Sequence, residues 1–144
     1  MVPTLLGRIQ TRLFLLAVVG GVVTLVLAPV LPIPGGWGDH YRETFIVLAT
    51  VAVLGVAWEC VYHLLMQWRW EKDWPTLFAL VTLVPEGLLV WLLLRAGHVP
   101  GAGPPVLAAF LWHFTAVWIA VWLVAQGPMR VPFIRWRFHG GRLL

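Results

Sequence analysis

Four predominantly apolar runs, each close to twenty residues long, constrain this chain more than anything else in it. They cover about 13–31, 45–66, 75–94 and 106–125. At 1.5 Å per residue, about twenty helical residues cross the roughly 30 Å hydrocarbon core of a bilayer. Inside that core a single segment satisfies its backbone only as a helix. The predicted fold class is therefore all-α: a polytopic membrane protein with four transmembrane helices in an up-down bundle. It forms one membrane domain over 1–144, with a basic tail over 127–144.

Composition supports a lipid environment. Charged residues make up 11% of the chain and apolar ones 60%, whereas a soluble domain carries roughly 25% charged residues. The isoelectric point near 10.2 invites a nucleic-acid partner. The basic residues, however, sit in short segments beside apolar runs, as topology-setting charges do, and no nucleic-acid partner is expected. Arg8 and Arg12 before the first run, with Val26-Leu27-Ala28 near its end, imitate a signal peptide. Pro29 is a poor residue to follow a cut, so the first helix is expected to be retained. Cys60 is the only cysteine, which rules out an intrachain disulfide or a CxxC motif; a small core position is expected for it.

Pro32-Ile33-Pro34-Gly35-Gly36-Trp37-Gly38 and Pro100-Gly101-Ala102-Gly103-Pro104-Pro105 break the chain after the first and third runs. The second and third are joined by the charged turn 67–74, and Pro75 suits the first turn of a following helix. Arg8, Arg12, Arg69, Lys72, Arg130, Arg135, Arg137 and Arg142 fall on one side of the membrane, and Arg42 and Arg95 on the other. Eight against two predicts cytoplasmic N- and C-termini, most simply in the cytoplasmic (plasma) membrane. Trp68, Trp70 and Trp74 fit the inner interface, and Trp37 and Trp91 the outer one.

Membrane helices associate through small and polar residues rather than by burying apolar area. Stripes at helical spacing predict the packing faces: Ala17, Gly21, Thr24 and Ala28 in the first span, and Ala52, Gly55, Glu59 and His63 in the second. Ala79, Thr82 and Glu86 mark the third, and Ala109, His113, Ala116 and Ala120 the fourth. Trp118 and Trp122 fall on another face of the fourth, open to lipid or a partner. Pro85 removes one hydrogen bond, frees the carbonyl of Val81 and predicts a kink.

The candidate functional residues are the ionisable ones inside the spans: Glu59, His63, Glu86 and His113. A charged residue at a helix centre costs about 2.5–3.5 kcal/mol on insertion scales, so such residues have a use. Glu59 and His63 stand four apart and are placed to touch. Glu59 and Glu86 differ in depth by about 6 Å along the axis. The set predicts a stepped polar line able to pass protons, hold a cation or capture a cationic substrate, or else a network that only clasps helices together. A haem- or chlorophyll-type ring on His113, with Ala109 making room, is a further alternative. Glu59 and His63 lack the E-x-x-H spacing of di-iron bundles, so no metal is expected.

The four-span outline is similar to that of small multidrug pumps, but their carboxylate stands in the first helix, and span 13–31 holds no ionisable residue. In the tail, Ile134, Trp136 and Phe138 alternate with Arg135, Arg137 and His139, which predicts an extended amphipathic strand. Arg130, Arg135, Trp136, Arg137 and Arg142 are the expected contacts to lipid headgroups or to a cytoplasmic partner. No nucleophile motif or phosphate loop is present, so no enzyme activity is expected. The functional expectation is a small non-catalytic integral membrane subunit that packs with other membrane proteins or with itself. Its expected partners are membrane lipids and those subunits, with bound lipid plausible and no other cofactor. A proton- or cation-coupled transporter or channel component using Glu59, Glu86 and His113 is the alternative.

Overall fold

The computed structural model describes residues 4–69 and 76–143, the side chain of Arg137 excepted. Four long apolar helices cross back and forth: α1, Leu5–Val30; α2, Trp37–Gln67; α3, Thr76–Arg95; and α4, Leu107–Gln126. A short α5, Ile134–Phe138, follows in the tail. The first and last described residues lie at one end of the bundle, where the amide of Thr4 donates to the carbonyl of Gly140 at 2.9 Å. We refer to this as the terminal end. Of the predicted turn 67–74, Trp70, Glu71, Lys72, Asp73 and Trp74 lie outside the described residues, as does Pro75.

The third and fourth helices match the apolar runs to within one or two residues. The first two extend past theirs for local reasons. In α1, Thr4 caps the helix by accepting the Gly7 amide at 3.1 Å, which starts it two turns before the apolar run. In α2, Asp39 accepts the Gly36 amide at 3.1 Å, tying down the first turn. At 26 residues, α1 is about 39 Å long, more than the roughly 30 Å of a hydrocarbon core.

The core lies where α1, α2, α3 and α4 meet, around Leu16, Leu48, Val90, Phe110, Phe114 and Val117. Small residues set the spacing. A Cβ on Gly87 would come within 2.7 Å of the Phe114 ring, and one on Gly20 within 3.0 Å of Leu48. The outer surface is apolar, with Val26, Val53, Leu77 and Trp112 all exposed, as lipid contact allows.

Two expected stripes shift, and in a third, that of α3, Ala79 is exposed while Thr82 and Glu86 are buried. In α1, residues Leu16–Gly20 form a π turn, which takes in one residue more than an α turn. That rotates the face: Gly20, Gly21, Thr24 and Ala28 are buried, while Ala17 is exposed. In α4 the buried face is Ala109, Phe110, His113, Phe114 and Val117, with Ala116 and Ala120 only half-buried. Cys60 also departs from its expected core position and is exposed on the surface of α2.

α3 breaks at Thr82 between Thr76–Val81 and Leu83–Arg95. The carbonyl of Ala79 is held there by the Thr82 hydroxyl at 3.0 Å and by the indole N–H of Trp118 at 3.2 Å. Trp122 makes the same kind of bond to the Thr76 carbonyl at 3.3 Å. The two tryptophans expected on an open face therefore join α4 to α3, Trp118 at a carbonyl that the helix break leaves open.

The tail does not form the expected extended strand. It reverses at Gly140 and Gly141, whose φ values are 62° and 84°, and packs against the start of α1. Thr11 donates to the Gly141 carbonyl at 2.9 Å and accepts the Trp136 indole N–H at 2.6 Å. The Leu143 amide donates to Gln10 at 3.1 Å, and Phe14 and Phe133 pack edge to face at 5.7 Å. A Cβ on Gly7 would overlap the Gly140 carbonyl. Backbone groups that a strand would have left unpaired find partners on α1 instead.

Candidate functional site

The principal polar site is built by two turns of α1 that precede its apolar run. Arg8 and Arg12 are four residues apart and share one face. The Arg8 Nε donates to Glu59 Oε2 at 2.6 Å, and Arg12 Nη1 to Glu59 Oε1 at 2.9 Å. Arg12 Nη2 reaches across to Glu86 on α3. The Tyr62 hydroxyl donates to the other Glu86 oxygen at 3.0 Å, and Arg8 also contacts Met66 Sδ at 3.6 Å. Three helices are thereby tied together by two cations and two carboxylates, whose formal charges cancel.

The cluster is well sheltered. The side chains of Arg12 and Glu86 are only 12% and 3% exposed. Arg12 lies directly over Gly55, where a Cβ would overlap its Nε. Its guanidinium carbon stands 5.5 Å from the centroid of Trp118, within cation–π range. Glycine at position 55 is what allows the long side chain to pass between helices.

Of the four expected residues, the structure brings Glu59 and Glu86 together, joined by the fork of Arg12. The depth difference of about 6 Å estimated from helix rise is spanned by that side chain. His63 does not bond Glu59; its Nε2 meets Gln67 at 3.3 Å. His113 stands apart toward the far end, 2% exposed, with Nε2 at 2.8 Å from the Thr24 hydroxyl of α1. Pro85 is exposed, close to the break that precedes Glu86. Arg130, Arg135 and Arg142 are exposed on the docked tail and Trp136 is half-buried against Thr11; the side chain of Arg137 lies outside the described residues.

Sequence reasoning missed Arg8, Arg12 and Tyr62. The available signal was that Arg8–Arg12 and Glu59–Tyr62 are each a single helical turn, facing acid–base complements in another span. A second missed group is Glu43, at the far end of α2. Its carboxylate accepts the Gly103 amide at 2.9 and 3.0 Å, tying the loop after α3 to α2. Among the described residues, no cluster of three His, Cys, Asp or Glu side chains forms a metal site.

Fold and site together define an all-helical integral membrane protein of four spanning helices, locked at one end by a charge-balanced cluster. No family model, curated protein or solved structure matches the chain.

Proposed function

We propose that this protein is a small non-catalytic membrane subunit, a self-locked four-helix element that packs with other membrane proteins or with copies of itself. The observation that carries this is the Arg8–Glu59–Arg12–Glu86 cluster. Each charge is answered inside the bundle, so neither carboxylate is left to bind a cation. A solute path through the bundle finds no support in the core between the cluster and His113, which is filled by Leu16, Leu48, Phe114 and Val117. A ring ligand on His113 would need far more space than the cleft of about 40 Å³ beside it.

The terminal end is the cytoplasmic one in this reading. Arg8, Arg12, Arg69, Arg130, Arg135 and Arg142 stand there, against Arg42 and Arg95 at the far end. The plasma membrane is the proposed location. The docked tail then presents the exposed Arg130, Arg135 and Arg142 to anionic lipid headgroups.

Isolation of the tagged chain from its native membrane in mild detergent, with light scattering and identification of co-purifying proteins, tests the proposal. A stoichiometric membrane partner or a defined homo-oligomer is expected. A lone monodisperse monomer would sink it. Proton or cation flux in vesicles containing the purified chain alone would replace it with the transporter alternative.

A further inference from the structure

Near the far end, a cleft runs inward from the loop before α4. Glu43 and Thr44 of α2 stand on its wall, Val47 and Phe110 line it, and His113 lies deep inside. Its room is about 40 Å³. Nε2 of His113 is engaged by Thr24, and Nδ1 is buried without a hydrogen-bond partner among the described residues. A buried polar atom of this kind requires a partner.

The proton on that ring follows from Thr24. The Thr24 hydroxyl has one hydrogen, and its one recorded partner among the described residues is His113 Nε2. Donation into Nε2 satisfies the hydroxyl and makes Nε2 the acceptor. In a neutral imidazole the proton then sits on Nδ1, which becomes a donor in search of an oxygen.

We propose that the cleft is a hydrated chamber: water entering from the far end accepts the Nδ1–H of His113. Size and chemistry select water. A single water needs roughly 10–15 Å³ of such room and two to four polar partners, so the chamber holds a few molecules. Glu43, Thr44 and His113 supply those partners, whereas an aromatic ring needs a cavity nearer 150 Å³.

His113 also borders a second void of about 10 Å³, which Leu16, Leu48, Val51, Phe114, Val117 and Trp118 help to wall. This void is at or below the size for one water and offers no polar wall beyond the histidine and an indole. Hydration therefore stops at His113. The imidazole is a proton-exchanging site open to one aqueous phase and insulated from the Arg12 cluster. This goes beyond the subunit proposal and stands whether or not a partner protein exists.

Magic-angle NMR of the ¹⁵N-histidine-labelled protein in phosphatidylcholine bilayers tests it. The His113 signals are expected to show a protonated Nδ1, a bare Nε2, and magnetisation transfer from water to the Nδ1 proton. Ala109→Val fills the cleft one turn from His113 and is expected to cut that transfer at least fivefold with an unchanged helical circular dichroism spectrum. Should that variant fail to fold, Val106→Phe closes the same cleft from its mouth. A proton on Nε2, no transfer from water in the unmodified protein, or transfer undiminished in the filled variant would overturn the proposal.

Discussion

Replacing Arg12 by methionine tests the cluster most directly, because the substitution keeps an unbranched apolar stem and removes only the fork. Three contacts disappear: those to Glu59 and Glu86, and the stacking on Trp118. Glu59 keeps Arg8, but Glu86 keeps only the Tyr62 hydroxyl, and one uncompensated negative charge remains at a site 3% exposed. Breaking a buried pair from one side costs about 3–5 kcal/mol, and the lost cation–π contact adds about 0.5–2 kcal/mol. A total loss of about 3.5–7 kcal/mol is therefore expected for Arg12→Met. Glu86→Gln leaves one neutral acceptor oxygen for Arg12, puts an NH2 donor opposite the Tyr62 hydroxyl, and should cost about 1–3 kcal/mol. The informative variant is the double one. With Arg12→Met and Glu86→Gln together, Arg8 and Glu59 remain as a balanced pair and no charge is orphaned. The double variant should therefore lose less than the sum of the two single losses, by about 1–3 kcal/mol of coupling. Unfolding by added SDS in mixed micelles, followed by far-ultraviolet circular dichroism, measures all three. A double loss equal to the sum of the two single losses, or a loss below about 1 kcal/mol for the single Arg12→Met, would refute the clasp.

Other substitutions address neighbouring parts of the same argument. Gly55→Ala would normally favour a helix by about 0.8–1 kcal/mol, yet here the added methyl overlaps Arg12, so the SDS titration should show destabilisation instead. Gly7→Ala should push the tail off α1 and be read as faster tryptic cleavage at Arg135 and Arg142, with the four-helix part intact. Thr24→Val removes the bond to His113 and should cost about 0.6–1.7 kcal/mol, the range found for hydrogen bonds between membrane helices.

The number and placement of the spanning helices were legible because lipid imposes a length and a polarity on each segment. The start of α1 was not, because counting apolar residues stops at the first charge. Arg8 and Arg12 belong to the helix only because Glu59 and Glu86, more than forty residues away, neutralise them. The same long-range pairing decided against a Glu59–His63 contact: a guanidinium offers the carboxylate charge-assisted bonds. The π turn at Leu16–Gly20 has no sequence signature comparable to a proline, so the register of Ala17 could not be read in advance. Trp118 depends in turn on the Ala79 carbonyl, opened by the break in α3. The alternating tail was misleading because its period described side chains, whereas Gly140 and Gly141 and the needs of the backbone decided where it went.

Two polar sites in one small bundle raise the question of whether they communicate, and this separates a passive subunit from a coupled transporter. Arg12 and Thr24 stand twelve residues apart on α1, about 18 Å along the axis. They share no hydrogen-bond partner, and between them lie the void walled by Leu16, Leu48 and Val51 and the core around Val117. Sites more than about 7–10 Å apart without common partners add to within about 0.3–0.5 kcal/mol. The combined Arg12→Met and Thr24→Val variant should therefore lose the sum of the two single losses within that margin. A conformational change that opened one site as it closed the other would tie them to a common equilibrium, and the losses would depart from additivity by 1 kcal/mol or more, roughly the least coupling seen between allosteric sites. Double-variant unfolding alongside the singles distinguishes these outcomes. Non-additivity of that size would mean that the apolar partition moves, and the reading of a static element would give way to one in which Glu86 and His113 face alternate phases.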